Sequence, residues 1–368
     1  MQARTCRRLV AAAIVVASTA SAPAHAGIWT PVPTGLNQTI TSIEYRGGNS
    51  LWFTTSSAIY KKASGSFTPQ LTSPGTNFNA IAFNPAGTIG IAVGDAGAFY
   101  RFNGAGWIAQ PPLKTYNYPW DSCPSSSSGP YTLTSSIVHD LTHVRWADDD
   151  TVFILSGRTG SLMRSDDVGR TWREINRQPD GTCRIPDSVK DVYVLPSNPY
   201  HMLFIAGHGY VYLSTNGLGS TAAQRGSACG NRLRVDDNDP ARMYVGGVGC
   251  YRFGYYEDGG VGSAAPSMMN GDYGSSFAFD SFGSTAVGAG NAGYVFNSID
   301  PTEAYLQPAD GTLATNDWRA VDLASASSGA VGGANGGLMI SDKLNTIPDI
   351  VKPTGRSPVP PPRSPGRP

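Results

Sequence analysis

The sequence has little charge and very little glutamate. Only 15% of its 368 residues are charged, and 27 basic residues balance 27 acidic ones. Glutamate occurs only at Glu44, Glu174, Glu257 and Glu303. A chain without net charge has no long-range attraction for nucleic acid or for an anionic membrane surface. The composition therefore argues against both as partners.

Long apolar runs are also scarce. Three arginines precede an apolar run over residues 9–17, and the Ala-His-Ala at residues 24–26 fits the small-x-small pattern that signal peptidase cuts. The run is shorter than the ~20 residues that span a bilayer, so a membrane anchor is the weaker alternative. We predict a signal peptide over residues 1–26 and cleavage before Gly27. The mature protein is then secreted, in the periplasm or outside the cell, without membrane insertion.

Cysteine is rare, with five residues in the whole chain. Cys6 leaves with the signal peptide, and an even number of cysteines in an exported protein favours two disulfides. No pair has the close Cys-x-x-Cys spacing of a metal site, so neither a metal nor a cofactor is predicted. Four cysteines remain, with three possible pairings: Cys123, Cys183, Cys229 and Cys250.

Glycine, by contrast, is abundant at 44 residues, and much of it falls within a repeat. Each copy reads as an alternating strand, a Val/Ala/Gly-rich strand, a tight glycine turn, a third strand and a polar turn. Successive turns are about 40 to 50 residues apart, which suits one four-stranded blade each. This predicts an all-β, seven-bladed β-propeller; an ordinary β-sandwich is the alternative. The copies begin near Ile40, Phe78, Leu141, Val189, Leu233, Phe277 and Trp318.

The two ends of the repeat region differ in composition. Residues 28–31 precede the first copy and are predicted to supply the outer strand of the last blade, which would close the ring. The propeller is predicted to span residues 27–352. Residues 353–368 are rich in Pro, Arg, Ser and Gly, which predicts a disordered tail with polyproline character. A cell-wall or partner-docking role is the alternative for this tail.

One turn carries a recognisable motif. Residues 165–172, Ser-Asp-Asp-Val-Gly-Arg-Thr-Trp, match the Asp-box (BNR) pattern Ser-x-Asp-x-Gly-x-Thr-Trp. The chain therefore resembles Asp-box propellers, among them sialidases, sortilin-type receptors and photosystem II assembly factors, and it is most similar to the assembly factors. The resemblance implies a scaffolding protein and a structural role for the motif: Asp167 would bond turn amides, Gly169 would permit the turn and Trp172 would pack between blades. The motif residues are Ser165, Asp167, Gly169, Thr171 and Trp172.

The residues of a sialidase active site are not recognisable here. Sialidases carry an Arg-Ile-Pro motif before their first blade. Arg184-Ile-Pro186 matches this motif, but it stands between the third and fourth copies, where the family's arginine would not lie. The segment Tyr255-Tyr-Glu257 offers a tyrosine next to a glutamate, the pair that forms the sialidase nucleophile. Neighbouring residues of a strand, however, point to opposite faces of the sheet. His139 and His143 would lie on one face of a strand, too far apart to share a metal ion unaided. We predict no catalytic residues, and whether the protein is an enzyme stays open.

A ligand face is nevertheless predicted. In Asp-box propellers, the turns between second and third strands and the loops between blades share the face opposite the Asp-boxes. The insert at about residues 111–136 belongs to that face, and its aromatic side chains are of the kind that recognise sugars or protein surfaces. Polar residues at these turns also fit ordinary turn preferences. The candidate ligand-face residues are Asp95, Tyr116, Tyr118, Trp120, Asp121, Arg158, Arg184, His208, Asn291 and Asn335.

This layout also suggests the disulfide pairing. Cys123 and Cys183 would be neighbours on the insert-bearing face, and so would Cys229 and Cys250, which predicts the pairs 123–183 and 229–250. The functional prediction is a secreted, non-enzymatic, monomeric propeller that binds or scaffolds a protein or glycan through this face. The alternatives are a glycoside hydrolase or lyase of the Asp-box type, and a cell-wall-associated structural protein.

Overall fold

The computed structural model describes most of the chain between residues 28 and 345. The described residues are 28–46, 50–63, 65–116, 136–157, 160–177, 183–185, 188–195, 198–207, 210–227, 232–236, 239–246, 252–257, 260–262, 278–283, 285–290, 293–300, 303–308 and 316–345. The predicted signal peptide and the Pro-rich tail lie outside these residues. No helix among the described residues is long and apolar enough to cross a membrane.

The chain is an all-β propeller built of four-stranded antiparallel blades. Each blade is named here by its innermost strand. The β2 blade contains β2 (Ile40–Arg46), β3 (Ser50–Thr55), β4 (Ala58–Ala63) and β5 (Ser66–Thr72); the β6 blade contains β6 (Phe78–Phe83), β7 (Gly90–Gly94), β8 (Phe99–Phe102) and β9 (Trp107–Ala109); the β12 blade contains β12 (Leu141–Trp146), β13 (Val152–Ser156), β14 (Leu162–Ser165) and β15 (Arg173–Glu174).

The remaining blades follow in chain order. The β16 blade contains β16 (Val189–Leu195), β17 (Asn198–Ala206), β18 (Tyr210–Ser214) and β19 (Ala223–Ser227); the β20 blade contains β20 (Arg232–Asp236), β21 (Asp239–Gly246), β22 (Arg252–Glu257) and β23 (Gly260–Gly262); the β24 blade contains β24 (Ala278–Phe282), β25 (Thr285–Ala289), β26 (Tyr294–Asp300) and β27 (Glu303–Pro308). The β28 blade contains β28 (Trp318–Ser325), β29 (Ser328–Gly333), β30 (Leu338–Ser341) and, as its outer strand, β1 (Thr30–Pro31).

The β28 blade joins the two ends of the repeat region. Strand β1 pairs antiparallel with β30, with Thr30 opposite Ile340 and Pro31 opposite Met339. The predicted contribution of residues 28–31 to the last blade is therefore confirmed. Each innermost strand also contacts the innermost strand of the next blade, and β28 contacts β2, so the blades close into a ring.

The apolar core lies between neighbouring blades. The second strands β3, β7, β13, β25 and β29 are buried along nearly their whole length, because a blade is covered on both faces. One buried cluster joins the β2 and β6 blades, and others join β6 to β12, β12 to β16, β16 to β20, β24 to β28 and β28 to β2. Blade-to-blade burial of this kind supplies the hydrophobic stabilisation that a single blade lacks.

The glycine turns have two separate physical causes. In the turn between β7 and β8, Ala96 and Gly97 have φ of 51° and 68°, the left-handed region that glycine favours. Gly94, however, is extended, and a Cβ there would lie 2.1 Å from the backbone carbonyl oxygen of Asn77. A positive φ therefore explains Gly97 but does not explain Gly94. Close approach of the incoming loop excludes a side chain there.

The two ends of the insert after the β6 blade pair with each other as a short two-stranded sheet. Strands β10 (Lys114–Tyr116) and β11 (Ser136–Val138) pair antiparallel, with Lys114 opposite Val138 and Tyr116 opposite Ser136. The backbone N–H of Leu113 donates to the carbonyl of Gly97 over 3.3 Å. The base of the insert therefore lies on the β7–β8 turn.

Candidate functional site: the central cavity and the insert-bearing face

The residues predicted for the ligand face are only partly described. Asp95 lies in the β7–β8 turn, beneath the insert. Its carboxylate accepts hydrogen bonds from the side-chain amides of Asn77 and Asn79, at 2.7 and 2.8 Å. Asp95 is therefore held by its own blade, which gives it a structural role in the turn.

The other described members are spread around the ring. Asn335 is exposed in the β29–β30 turn with φ of 52°. Arg184 lies between the β12 and β16 blades, and its guanidinium donates to the carbonyl of Gly219. Tyr116 is described through its backbone in β10 only. Tyr118, Trp120, Asp121, Arg158, His208 and Asn291 lie outside the described residues.

The structure instead brings a group of charged side chains together in the middle of the ring. A cavity of about 100 Å³ lies among β2, β6, β12, β20, β24 and β28. Its lining includes the second residues of four innermost strands, Thr41, Asn79, Thr142 and Arg319, so it reaches the ends of these strands beside the insert-bearing face. Its charged and titratable side chains are Glu44, His143, Arg145, Arg232, Arg234, Arg319 and Asp322.

Carboxylates link successive blades around this cavity. Glu44 of the β2 blade accepts the backbone N–H of Phe83 in the β6 blade at 3.3 Å. Asp322 of the β28 blade accepts the backbone N–H of Tyr45 in the β2 blade at 2.6 Å. Each of these bonds fixes one blade to the next, because a backbone donor is held by its own sheet.

The β16, β20, β24 and β28 blades are connected in the same way. Asp191, fully buried, accepts the backbone N–H of Leu233 at 2.9 Å, and Asp280 accepts that of Leu323 at 2.9 Å. Arg234 lies between these two carboxylates, with ion-pair distances of 3.2 Å to Asp191 and 2.8 Å to Asp280. A guanidinium shared between two buried carboxylates compensates charge that would be costly alone.

Burial changes the protonation of the remaining acids. Desolvation raises the pKa of Glu44 to about 8, although the backbone bond from Phe83 and the charge of Arg145 oppose the shift. Desolvation and the neighbouring Glu44 and Asp280 also hold the pKa of Asp322 well above its usual range. Because the pKa of Glu44 is about 8, neutral pH favours its protonated form.

Two arginines of the cavity lack such a bonded partner among the described residues, although the charge of Asp191 acts on both. Arg145 and Arg232 make no hydrogen bond or ion pair with any described residue. Burial, followed by the charge of Arg145, lowers the pKa of Arg232 although Asp191 opposes the shift. Arg145 and Arg232 are therefore close enough to repel each other inside one cavity.

His143 lies beside these arginines. Its Nδ1 is 2.9 Å from the hydroxyl of Thr142, and its Nε2 is buried without a hydrogen-bond partner. Burial and then the charges of Arg232 and Arg145 lower the pKa of His143 well below its usual range, so the ring is neutral.

His139 precedes β12 while His143 lies within it, so the placement of both on one face of a single strand is wrong. Among the described residues no group of three or more His, Cys, Asp or Glu could hold a metal ion.

Sequence reasoning missed the cavity because it examined turns and the insert. The available signal was a charged residue where a buried strand predicts an apolar one. In their strands Glu44, Arg145 and Asp322 occupy the same fifth position, and His143 and Asp191 share the third. Such residues at a predicted ring centre indicate either a polar channel or blade-to-blade links.

The turn between β14 and β15 is held by its own side chains. The Asp167 carboxylate accepts the backbone N–H groups of Arg170 and Thr171 at 3.0 and 2.8 Å and the Thr171 hydroxyl at 2.7 Å. Ser165 Oγ accepts the backbone N–H of Gly169 at 2.9 Å. Burial opposes ionisation of Asp167, but the bonds from Thr171, Ser165 and Arg170 outweigh it and lower its pKa to about 2.

This turn also contacts the neighbouring blade. The Trp172 ring packs edge-on against Phe99 of the β6 blade with centroids 5.6 Å apart. Arg101 of the same blade donates from Nε to the carbonyl of Val168 over 2.8 Å. A second turn partly repeats the pattern: Ser214 Oγ accepts the backbone N–H of Leu218 at 2.9 Å.

One of the four predicted disulfide cysteines is described. Cys183 is disulfide-bonded, in the connection between the β12 and β16 blades. Cys123, Cys229 and Cys250 lie outside the described residues, so the pairing 123–183 and 229–250 stays a prediction.

Comparison with known proteins supports the fold. Neither a protein-family model nor a curated protein sequence gives a significant match to the chain. Among solved structures it is similar to YCF48 bound to D1 peptide, with a TM-score of 0.60, 15% identity and coverage of 85% of this chain and 96% of that one.

Two further solved structures are similar. YCF48 from Cyanidioschyzon merolae has a TM-score of 0.58 and 13% identity, with 85% of this chain and 98% of that chain covered. A chain of the Mitotic Checkpoint Complex has a TM-score of 0.58 and 9% identity, with 93% of this chain and 99% of that chain covered. At these identities the likeness shows the β-propeller fold.

Proposed function

We propose that this protein is a secreted, non-enzymatic, seven-bladed β-propeller that binds a protein partner through its insert-bearing face. The blade number is supported by the seven four-stranded sheets that the described residues form and by the contacts between successive innermost strands. The Asp-box assignment is supported by the bonds of Asp167 and by the packing of Trp172 on Phe99. Export rests on the sequence of residues 1–26.

One observation carries the choice of face. Asn79 lines the central cavity and donates to Asp95, in the turn on which the insert lies. The insert, the turn and the end of the cavity are therefore neighbours on one side of the ring. The base of the insert lies beside this concave polar region, and the insert sequence is rich in aromatic residues, which is the composition of many recognition surfaces.

The solved structures of similar propellers favour a protein partner. One solved neighbour is a YCF48 bound to D1 peptide, and another belongs to the Mitotic Checkpoint Complex. Propellers often serve as rigid platforms whose loops vary, because the blades keep their geometry when the loops change. A glycan partner remains a second proposal, based on Tyr116, Tyr118 and Trp120 of the insert.

A hydrolase or lyase is the competing function. The charge of Glu44 acts on Asp322, and both acids have raised pKa values, which is a property of many catalytic acids. Both carboxylates, however, accept backbone N–H groups from neighbouring blades. The cavity of about 100 Å³ is also small beside the roughly 300–1,000 Å³ of typical ligand pockets. These facts favour a structural role for the pair.

A binding experiment tests the proposal. The mature protein is applied to a random peptide array and to a glycan array, beside a variant with residues 117–135 replaced by a Gly-Ser linker and a variant lacking residues 353–368. We expect peptide binding by the mature protein and the tail-deleted form, and loss of that binding in the insert variant.

Three results would count against it. Equal peptide binding by the insert variant would remove the insert from the site. Binding confined to glycans would favour the second proposal, and glycan turnover abolished by Glu44→Gln would establish the hydrolase.

A further inference from the structure

The central cavity contains two guanidinium groups that no described residue bonds. Arg234 is paired with Asp191 and Asp280, and Arg319 lies 3.5 Å from Asp317. Arg145 and Arg232 have no hydrogen bond or ion pair with any described residue. Buried guanidinium groups are ordinarily paired, because removing them from water is costly.

The acids near the cavity make no hydrogen bond or ion pair with Arg145 or Arg232 among the described residues. The protonated form of Glu44 predominates at neutral pH, and the pKa of Asp322 is held well above its usual range. Asp191 and Asp280 are already engaged by Arg234 and by backbone N–H groups. Asp191 therefore acts on Arg145 and Arg232 through its charge alone, and its bonds go to Arg234 and to backbone N–H groups.

A third polar group of the cavity also lacks a bonded partner among the described residues. The Nε2 atom of His143 is buried and has no hydrogen-bond partner. His143 lies two residues from Arg145 on β12, and the charge of Arg232 acts on its ring. Two unpaired guanidinium groups and one unsatisfied imidazole nitrogen thus surround one space.

We propose that the central cavity binds a small oxyanion, a phosphate or a short carboxylate, through Arg145 and Arg232 with a hydrogen bond to His143. Guanidinium groups bind both oxyanions through paired N–H donors, and the neutral imidazole donates when Nε2 carries its proton. A volume of about 100 Å³ equals that of roughly three liquid water molecules, which suits ions of this size. Arg145 and His143 lie on β12 and Arg232 lies on β20, outside the insert, so anion binding can be measured without the proposed protein partner.

Calorimetry and thermal unfolding of the full mature protein test this site. Sodium phosphate, acetate and succinate are each titrated at constant ionic strength, with chloride as the reference anion. We expect at least one oxyanion to bind and to raise the unfolding temperature, with binding at least tenfold weaker in Arg145→Gln and in Arg232→Gln. The matched control is Arg173→Gln, which removes the same charge from an exposed residue 65% accessible at its side chain and should bind as the unmodified protein does.

The outcomes are separable. A phosphate response without a carboxylate response, or the reverse, supports the proposal and identifies the oxyanion. Equal binding by Arg145→Gln and Arg173→Gln, or no response to any of the three anions, overturns it. If the glutamine variants do not fold, Arg145→Lys and Arg232→Lys keep the charge but lose the paired donors. Unchanged oxyanion affinity in both lysine variants would then overturn the proposed site.

Discussion

Two buried regions of the ring have opposite chemistry. Between the β2 and β6 blades, Trp52 packs against Phe83, Phe102 and Trp107, with ring centroids 5.1, 5.6 and 6.2 Å away. The cluster is aromatic, the Arg46 guanidinium stacks over its Trp52, Phe83 and Phe102 rings, and Trp52 is 1% exposed. The central cavity is instead lined by arginines, carboxylates and a histidine. The comparison indicates that apolar packing between blades stabilises the fold, while the centre of the ring accommodates charged side chains.

The two regions also differ in how neighbouring blades are joined. In the aromatic cluster the contact is non-directional and depends on the apolar area removed from water. Around the cavity, single carboxylates reach a backbone N–H of the next blade, as Asp191 reaches Leu233. Such bonds specify the register of one innermost strand against the next, because only one geometry satisfies both groups.

The largest effect is expected from the aromatic cluster. Trp52→Ala should lower the free energy of unfolding by about 3–5 kcal/mol, because it leaves a cavity between two blades. Urea unfolding followed by tryptophan fluorescence and circular dichroism measures it. Ile108→Ala, at a side chain 50% exposed, is the control, with an expected change within about 0.5 kcal/mol. Equal losses in the two variants would contradict the role given to the cluster.

A smaller loss is expected at the charged centre. Asp191→Asn keeps the size of the side chain but removes the charge that pairs with Arg234 and weakens the bond from Leu233. We expect a loss of about 2–3 kcal/mol, the range for hydrogen bonds to charged groups. Asp317→Asn, which changes an exposed pair with Arg319, should cost less than about 1 kcal/mol. If Asp191→Asn were neutral in urea unfolding, the carboxylate links would not stabilise the ring.

The pH dependence distinguishes the two regions further. Because the pKa of Glu44 is raised to about 8 in the folded protein, its protonated form is favoured by folding. The resulting stabilisation is full below pH 4.5 and is lost as the pH rises towards 8, by on the order of 1 kcal/mol for each pH unit. Glu44→Gln should flatten this slope when unfolding is measured from pH 5 to 8. Trp52→Ala should leave the slope unchanged, and an unchanged slope in Glu44→Gln would refute the assignment.

The smallest effect is expected in the self-contained turn of residues 165–172. Asp167→Ala removes the acceptor of three bonds from Arg170 and Thr171, and should cost about 1 kcal/mol because the turn is largely exposed to water. The pKa of Asp167 is lowered to about 2, so its contribution is present above pH 4 and is lost as the pH falls towards 2. Thermal unfolding at pH 7 and pH 2.5 measures both. A loss as large at pH 2.5 as at pH 7 would mean that charge is unimportant there.

Much of the fold could be predicted from the sequence because its signals are local. Alternating strands, glycine turns and the Ser165–Trp172 motif each depend on neighbouring residues, and the sheet pairings occur where the repeat predicted them. Even the pairing of β1 with β30 was accessible, since a ring requires its ends to meet. The extended conformation of Gly94 could not be predicted in this way, because a glycine is needed there by the close approach of Asn77 from another part of the chain.

The candidate site was harder to predict for the same reason. Glu44, Arg145, Asp191, Arg232 and Asp322 are far apart in sequence, and no motif joins them. Alternation within each strand suggests which positions face the axis, but not which charges meet across it. Asp95, chosen as a ligand residue, proved to be engaged by Asn77 and Asn79.

The sequence by itself determined the strand pattern, the glycine turns and the bonds of the Ser165–Trp172 turn, because each involves residues close along the chain. Only the tertiary structure decided that Arg145 and Arg232 share a cavity without partners while Arg234 is doubly paired. The physical reason is ring closure. It brings the innermost strands together at one axis, and the charge balance there depends on all of them at once.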